Sequence, residues 1–235
     1  MRRCEHSFLG RIGYAEAARL QETCARDLKE NPAAPERLLL LEHPPVITLG
    51  RNARPQDVLL DEEALRRLGV GVEATNRGGQ VTYHGPGQLV GYPILNLSPD
   101  RRDVGRYLRD LEEVLIRTLG RFGIEAGRKA GLTGVWVGEE KIAAIGVHLG
   151  RWVTTHGFAL NVTTDLSHFD LIVPCGQRAR RVTSMRLILG RDLRLETVAA
   201  ALVPVFGAVL ERTMIDAGVS APDHEAGERR AREAS

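Results

Sequence analysis

Residues 135–162 limit the possible folds more than any other stretch. Two runs, 135–137 and 141–149, flank Gly138-Glu139-Glu140, and a third run, 152–162, follows Gly150-Arg151. Short glycine-containing connections between such runs read as hairpins, so three successive strands are expected to pair antiparallel. A sheet of that kind needs other elements to cover its apolar face. Residues 14–28 supply one candidate, a helix with Tyr14, Ala17, Ala18, Leu20, Cys24, Ala25 and Leu28 near a 3.6-residue period. A second helix is expected from a cap at Asp103 to Phe122, with Val104, Leu108, Leu111, Leu115, Leu119 and Phe122 on one stripe.

Elsewhere, residues 37–42 and 46–49 read as strands around Pro44-Pro45, 61–68 as a short helix, and 70–75 and 92–97 as strands. Residues 184–189 suit a short helix, and 197–217 a long one with Pro204 inside it, where a kink is expected. The last residues, 221–235, carry almost no large apolar side chains and are expected to be disordered. Irregular alternation and a hairpin-rich middle favour an α+β fold, a single domain over 1–220 with a mixed, largely antiparallel sheet flanked by helices. A doubly wound parallel sheet would alternate more regularly.

The chain has 235 residues, 43% of them hydrophobic, enough for one sizeable core. A formal net charge of +2 argues against a dedicated nucleic-acid binder. No run of apolar residues is long enough to span a membrane. The three cysteines, Cys4, Cys24 and Cys175, show no C-x-x-C spacing, and the histidines form no H-E-x-x-H pattern, so neither a disulfide framework nor a metal site is expected. The N-terminus has no signal-peptide pattern, and a cytoplasmic location is expected. Of 32 Lys and Arg residues only Lys29, Lys129 and Lys141 are lysine. A lysine in a motif then invites the question of why arginine was not used, since only lysine can readily lose its proton.

The glycine-rich stretch 77–91 lacks a phosphate-loop pattern, and Gly85, Gly87 and Gly91 are spaced one residue too long for a dinucleotide fingerprint. It reads instead as two tight turns, Arg77-Gly78-Gly79 and Gly85-Pro86-Gly87, around a short strand at 80–83. His84 at its edge reads as a hydrogen-bonding loop residue. Cys24 falls on a helix's apolar face and reads as a small buried hydrophobe. Cys175, between Pro174 and Gly176, sits in a turn that a substrate can reach. Its position suits an incidental thiol as well as a nucleophile, and the latter needs a nearby cation, a His or a helix N-terminus to lower its pKa.

Four motifs taken together are more specific. RGGQVTYHGPGQLVGYPI (77–94), GEEKIAAIGVH (138–148), THGFALNV (155–162) and PCG with VTS (174–176, 182–184) occur in this order. The chain resembles the lipoyl(octanoyl) transferase family, which moves octanoyl from acyl carrier protein onto lipoyl domains. The resemblance implies that Cys175 is the acyl-thioester nucleophile. It implies that Lys141 lowers the pKa of that thiol and shuttles protons. It assigns the acyl substrate site to Arg77, Gly78, Gly79, Gln80, Val81, Thr82, Tyr83 and His84, with Ala144, Ile145, Gly146, Gly157, Phe158 and Ala159. It further implies no cofactor, and a fold similar to the catalytic domains of biotin and lipoate protein ligases. The implied donor is octanoyl-acyl carrier protein. The implied acceptors are the lipoyl domains of 2-oxoacid dehydrogenase E2 subunits and the glycine cleavage H protein, with the enzyme acting as a monomer. Gln177 and His148 depart from the pattern, where an aliphatic residue and an arginine are common. Competing readings are an ATP-dependent lipoate or biotin ligase on the same fold, a non-catalytic acyl-protein binding module, and a thioesterase using the same cysteine. The GRGRxGR-type phosphate motif of biotin ligases is absent, and an intact Lys141 and Cys175 argue against a mere binding module.

Overall fold

The structure is a computed structural model and describes residues 1–173 and 181–218. Eleven strands and five α-helices are found among them. Strands β1 (Arg2–Arg11), β2 (Glu36–Glu42), β6 (Gln88–Ile94), β7 (Gly127–Lys129), β8 (Leu132–Val137), β9 (Glu140–Gly150), β10 (Val153–Asn161) and β11 (Arg212–Asp216) form one sheet, ordered β11-β1-β2-β6-β10-β9-β8-β7. Only the β11–β1 and β1–β2 pairs are parallel. The hairpins expected at 135–162 are the β8–β9–β10 meander, with Gly157 opposite Gly146 and Ala159 opposite Ala144. A smaller sheet, β4-β3-β5, consists of β3 (Val46–Leu49), β4 (Gly71–Ala74) and β5 (Val81–His84). The α+β expectation with a mixed, largely antiparallel sheet therefore holds.

Strand β2 shows why both faces of the large sheet are covered. Its run RLLLLE alternates, and Leu39 and Leu41 pack with Ala17, Cys24, Ala25 and Leu28 of helix α1 (Tyr14–Glu30). Leu38 and Leu40 belong to the opposite core, with Leu111, Leu115 and Leu119 of α3 (Val104–Gly120) and Leu202 and Phe206 of α5 (Leu195–Leu210). A strand buried on both sides reads as an unbroken apolar run. Asp103 caps α3 by accepting from the Arg106 N–H, as its sequence context suggests. The third core lies under the small sheet, where Ile47, Val81 and Tyr83 meet Leu65 of α2 (Glu62–Arg67) and Ile172.

The long helix expected over 197–217 is a correction. Helix α5 stops at Leu210, because Glu211 adopts the left-handed conformation at φ 57°, and Arg212–Asp216 then pair with the N-terminal strand. That N-terminal strand, β1, was not expected from its sequence, and neither was the three-residue β7. The expected short helix at 184–189 is α4 (Met185–Leu189), capped by Ser184. The proposed tail, 221–235, lies outside the described residues.

Candidate active site

Where the two sheets meet, the Arg77–Gly79 turn docks onto β9. The Gly78 N–H donates to the Val147 carbonyl at 2.9 Å. A Cβ on Gly146 would stand 2.9 Å from the Gly78 carbonyl oxygen, so this approach needs a residue without a side chain. A cavity of about 290 Å³ lies against this junction. Its lining includes Arg77, Gly78, Gly79, Gln80, Val81, Thr82, His84, Lys141, Ala144, Ile145, Gly146, Gly157, Phe158 and Ala159. Three stretches of chain, 77–84, 141–146 and 157–159, thus surround one space.

Tyr83 is the exception. Alternation along β5 turns Thr82 and His84 to the cavity and Tyr83 away from it. Tyr83 is buried in the core of the small sheet, stacked on His168 with ring centroids 4.8 Å apart. It supports the strand and does not line the cavity. Cys175 and Gln177 lie outside the described residues. The chain on either side of that segment is described. Val173 donates its N–H to the Asp57 carbonyl at 2.8 Å. Arg181 and Thr183 bracket Lys141, with Lys141 N–H to Arg181 O and Thr183 N–H to Lys141 O both at 3.0 Å.

Polar groups in the wall are held in one network. The Arg77 guanidinium is buried and donates to the Thr48 carbonyl at 2.7 Å and the Thr48 hydroxyl at 2.9 Å. His84 Nδ1 is 2.7 Å from Gln88 Oε1. Gln88 Nε2 donates to the Tyr83 carbonyl and to Asn161 Oδ1, and Asn161 Nδ2 donates to the Thr183 carbonyl. This orients the Gln88 amide with its oxygen toward His84, so Nδ1 of the neutral imidazole carries the proton. Burial, with lesser repulsion from His43 and Arg77, pushes the His84 pKa down to about 3. Burial also lowers His156 to about 4; its Nε2 lies 2.6 Å from Asn76 Oδ1. Near neutral pH these imidazoles are uncharged parts of the wall.

Sequence reading missed Gln88, Asn161, Tyr14, Tyr92, His156, Phe169 and Val182, all of which line the cavity. Gln88 opens β6 and Asn161 closes β10, and their contact at 2.9 Å across the sheet leaves no local signal in the sequence. Among the described residues, no Asp or Glu lines the cavity, and no group of three metal-ligating side chains occurs anywhere. A carboxylate pair for acid–base work is therefore not on offer there. Among the described residues the charged groups of the lining are Arg77, committed to Thr48, and Lys141. Lys141 Nζ also lies 5.4 Å from the centroid of the Trp136 ring.

Residues 13–207 match the family described as the lipoyl protein ligase A/B catalytic domain. The chain belongs to that family. Within it, the chain is 56% identical over 215 residues to the octanoyltransferase of Solibacter usitatus, covering 92% of this chain and 96% of that protein. It is 50% identical to the octanoyltransferase of Koribacter versatilis, covering 88% and 84%. The chain is accordingly an acyltransferase that moves octanoyl groups. Its fold resembles the bipartite lipoate protein ligase of Thermoplasma acidophilum, with a TM-score of 0.73 at 19% identity over 99% of this chain and 92% of that one. It also resembles the biotin protein ligase of Aquifex aeolicus, with a TM-score of 0.54 at 14% identity over 88% and 70%. Among the described residues, no helix is long and apolar enough to cross a membrane.

Proposed function

We propose that the enzyme takes octanoyl from the thioester of octanoyl-acyl carrier protein onto Cys175 and passes it to a lysine amine of a lipoyl domain. The carrying observation is the placement of Lys141. Its side chain lines the cavity, while its main chain is bonded to Arg181 and Thr183, just beyond the Cys175 segment. In the first step the Cys175 thiolate attacks the donor carbonyl, and the carbon–sulfur bond to the carrier breaks. The departing carrier thiolate takes a proton from the Lys141 ammonium. In the second step the acceptor amine attacks the new thioester, a carbon–nitrogen bond forms, and Cys175 leaves as thiolate. The proton shed by the amine returns to neutral Lys141. A covalent intermediate lets two bulky carrier proteins use one site in turn. The lipoyl domains of 2-oxoacid dehydrogenase E2 subunits and the glycine cleavage H protein are the proposed acceptors. A reactive thiol suits a reducing compartment such as the cytoplasm.

The test is the intact mass of the protein after mixing with octanoyl-acyl carrier protein and no acceptor. One added octanoyl group, mapped to the Cys175 peptide, is the expected result. Label on Cys4 or Cys24, both buried, or no label at all, would sink the acyl-enzyme. Product formed from free octanoate only when ATP is added would instead favour a ligase.

A further inference from the structure

Behind Lys141 lies a second set of residues that the proposed reaction does not use. Glu112 of α3 is buried beneath β8, at 6% exposure. Its two carboxylate oxygens are divided between two partners. Oε1 accepts the Gly134 N–H at 3.0 Å, and Oε2 accepts Arg128 Nε at 3.0 Å. Arg128 is held in turn by Glu113 Oε2 at 2.8 Å and the Arg109 carbonyl at 3.0 Å. Burying a carboxylate is costly unless it is well bonded, and here it fixes a single peptide group.

That peptide is unusual. Gly134 has φ +128°, a conformation open to glycine and strained for other residues. The β8–β9 register shifts immediately after it, between Val135 and Trp136. A Cβ on Gly134 would overlap Lys141 Cε, and would stand 2.7 Å from the Ala143 carbonyl and 3.0 Å from Lys141 Nζ. The space left by the missing side chain is therefore filled by the end of the lysine. The indole of Trp136 closes the next side, between Lys141 and Lys129.

We propose that Gly134 and Glu112 are positioning residues for Lys141: the buried carboxylate pins the Gly134 peptide, and the bare glycine forms the slot that aims the lysine amine into the cavity. This rests on the reading of Lys141 as the cation and proton carrier for Cys175. It adds a structural cause for the aim of that amine, namely a contact from the helix layer through one strand to the reacting group. The prediction is specific about chemistry. Glu112→Gln keeps one acceptor oxygen where the carboxylate offers two, so it can serve either the Gly134 N–H or Arg128, and Glu112→Ala serves neither.

The experiment follows the pH dependence of iodoacetamide alkylation at Cys175, read by peptide mass. It is paired with single-turnover rates for acyl-enzyme formation and for transfer to a lipoyl domain. Lys141→Ala should raise the alkylation midpoint by about one pH unit or more, as loss of a neighbouring cation does. Gly134→Ala and Glu112→Ala should raise it in the same direction and slow transfer by about tenfold or more. Glu112→Gln, with one acceptor oxygen left, should fall between the parent and Glu112→Ala in both. Thermal melts identify variants that do not fold. Should Gly134→Ala be among them, the Glu112 variants decide. Should Glu112→Ala fail as well, Glu112→Asp, which keeps the charge but shortens the reach, is expected to move the midpoint the same way. A midpoint moved by Lys141→Ala but not by the folded Glu112→Ala or Glu112→Asp variant overturns the positioning role alone. A midpoint unmoved by Lys141→Ala overturns the Cys175–Lys141 pairing and the positioning role with it.

Discussion

Arg77 and Lys141, the charged groups of the cavity's described lining, differ in what they can exchange. The Arg77 guanidinium is bonded to Thr48 and keeps its proton in any accessible pH range. The Lys141 amine can give up a proton in one step and accept one in the next. Lys141→Arg keeps the charge that favours the Cys175 thiolate but cannot protonate the departing carrier, so acyl-enzyme formation should slow, though less than amide formation. The variant should lose at least about 10²-fold in amide formation, because general acid–base groups contribute about 10²- to 10⁴-fold. Lys141→Ala should impair both steps. Single-turnover mass spectrometry, followed by addition of a lipoyl domain, separates the two. Transfer by Lys141→Arg at the parent rate would leave the lysine as an electrostatic partner only.

Among the elements, the edge of the large sheet depends on charge. Glu36 on β2 is 1% exposed and accepts Arg212 Nε at 2.6 Å, with Arg2 Nη1 at 3.1 Å. Arg212 on β11 also reaches Asp100 at 2.7 Å. Arg212→Met keeps much of the volume but strands the Glu36 carboxylate. Removing one partner of a buried pair costs about 3–5 kcal/mol. Urea unfolding of the variant should show that loss, and a change below about 1 kcal/mol would mean that Arg2 suffices for Glu36. The same contacts explain what could be read from sequence. Helices α1 and α3 were legible because their apolar stripes repeat locally, and the β8–β9–β10 meander because glycine turns mark it. Strands β1 and β11 were not legible. Each is rich in charged residues, and their pairing, Arg2 with Arg212, joins stretches remote from each other in the sequence. Of the site, the glycine-rich wall, Ala144–Gly146 and Gly157–Ala159 were legible as motifs. Gln88, Asn161, Glu112 and Gly134 matter through partners that only the folded chain brings near.

For the molecule as a whole, three histidines set an acid limit. His43, like His84 and His156, is driven down by burial, to about 4, from an ordinary value of 6.5. His43 and His84 have ring centroids 5.8 Å apart, so their titrations interact. Below pH 6.5 the unfolded chain binds protons that the folded chain refuses. Stability is then fully present above about pH 6.5 and falls as pH drops toward 4, by up to about 4 kcal/mol per pH unit if all three contribute. Urea midpoints at pH 7.5 and 5.5 check this, and equal midpoints would show that the rings are protonated without cost. The pairing of Ala144 with Ala159 across β9 and β10 carries a different consequence. Both residues line the same cavity, so a larger side chain at either position takes up room that the octanoyl tail proposed for this site would use. Ala144→Val or Ala159→Val should turn the enzyme from octanoyl toward hexanoyl carriers by about tenfold, since one methylene in such a pocket is worth about 1–3 kcal/mol. The double variant should gain less than the sum, because the second valine enters volume that the first has already taken.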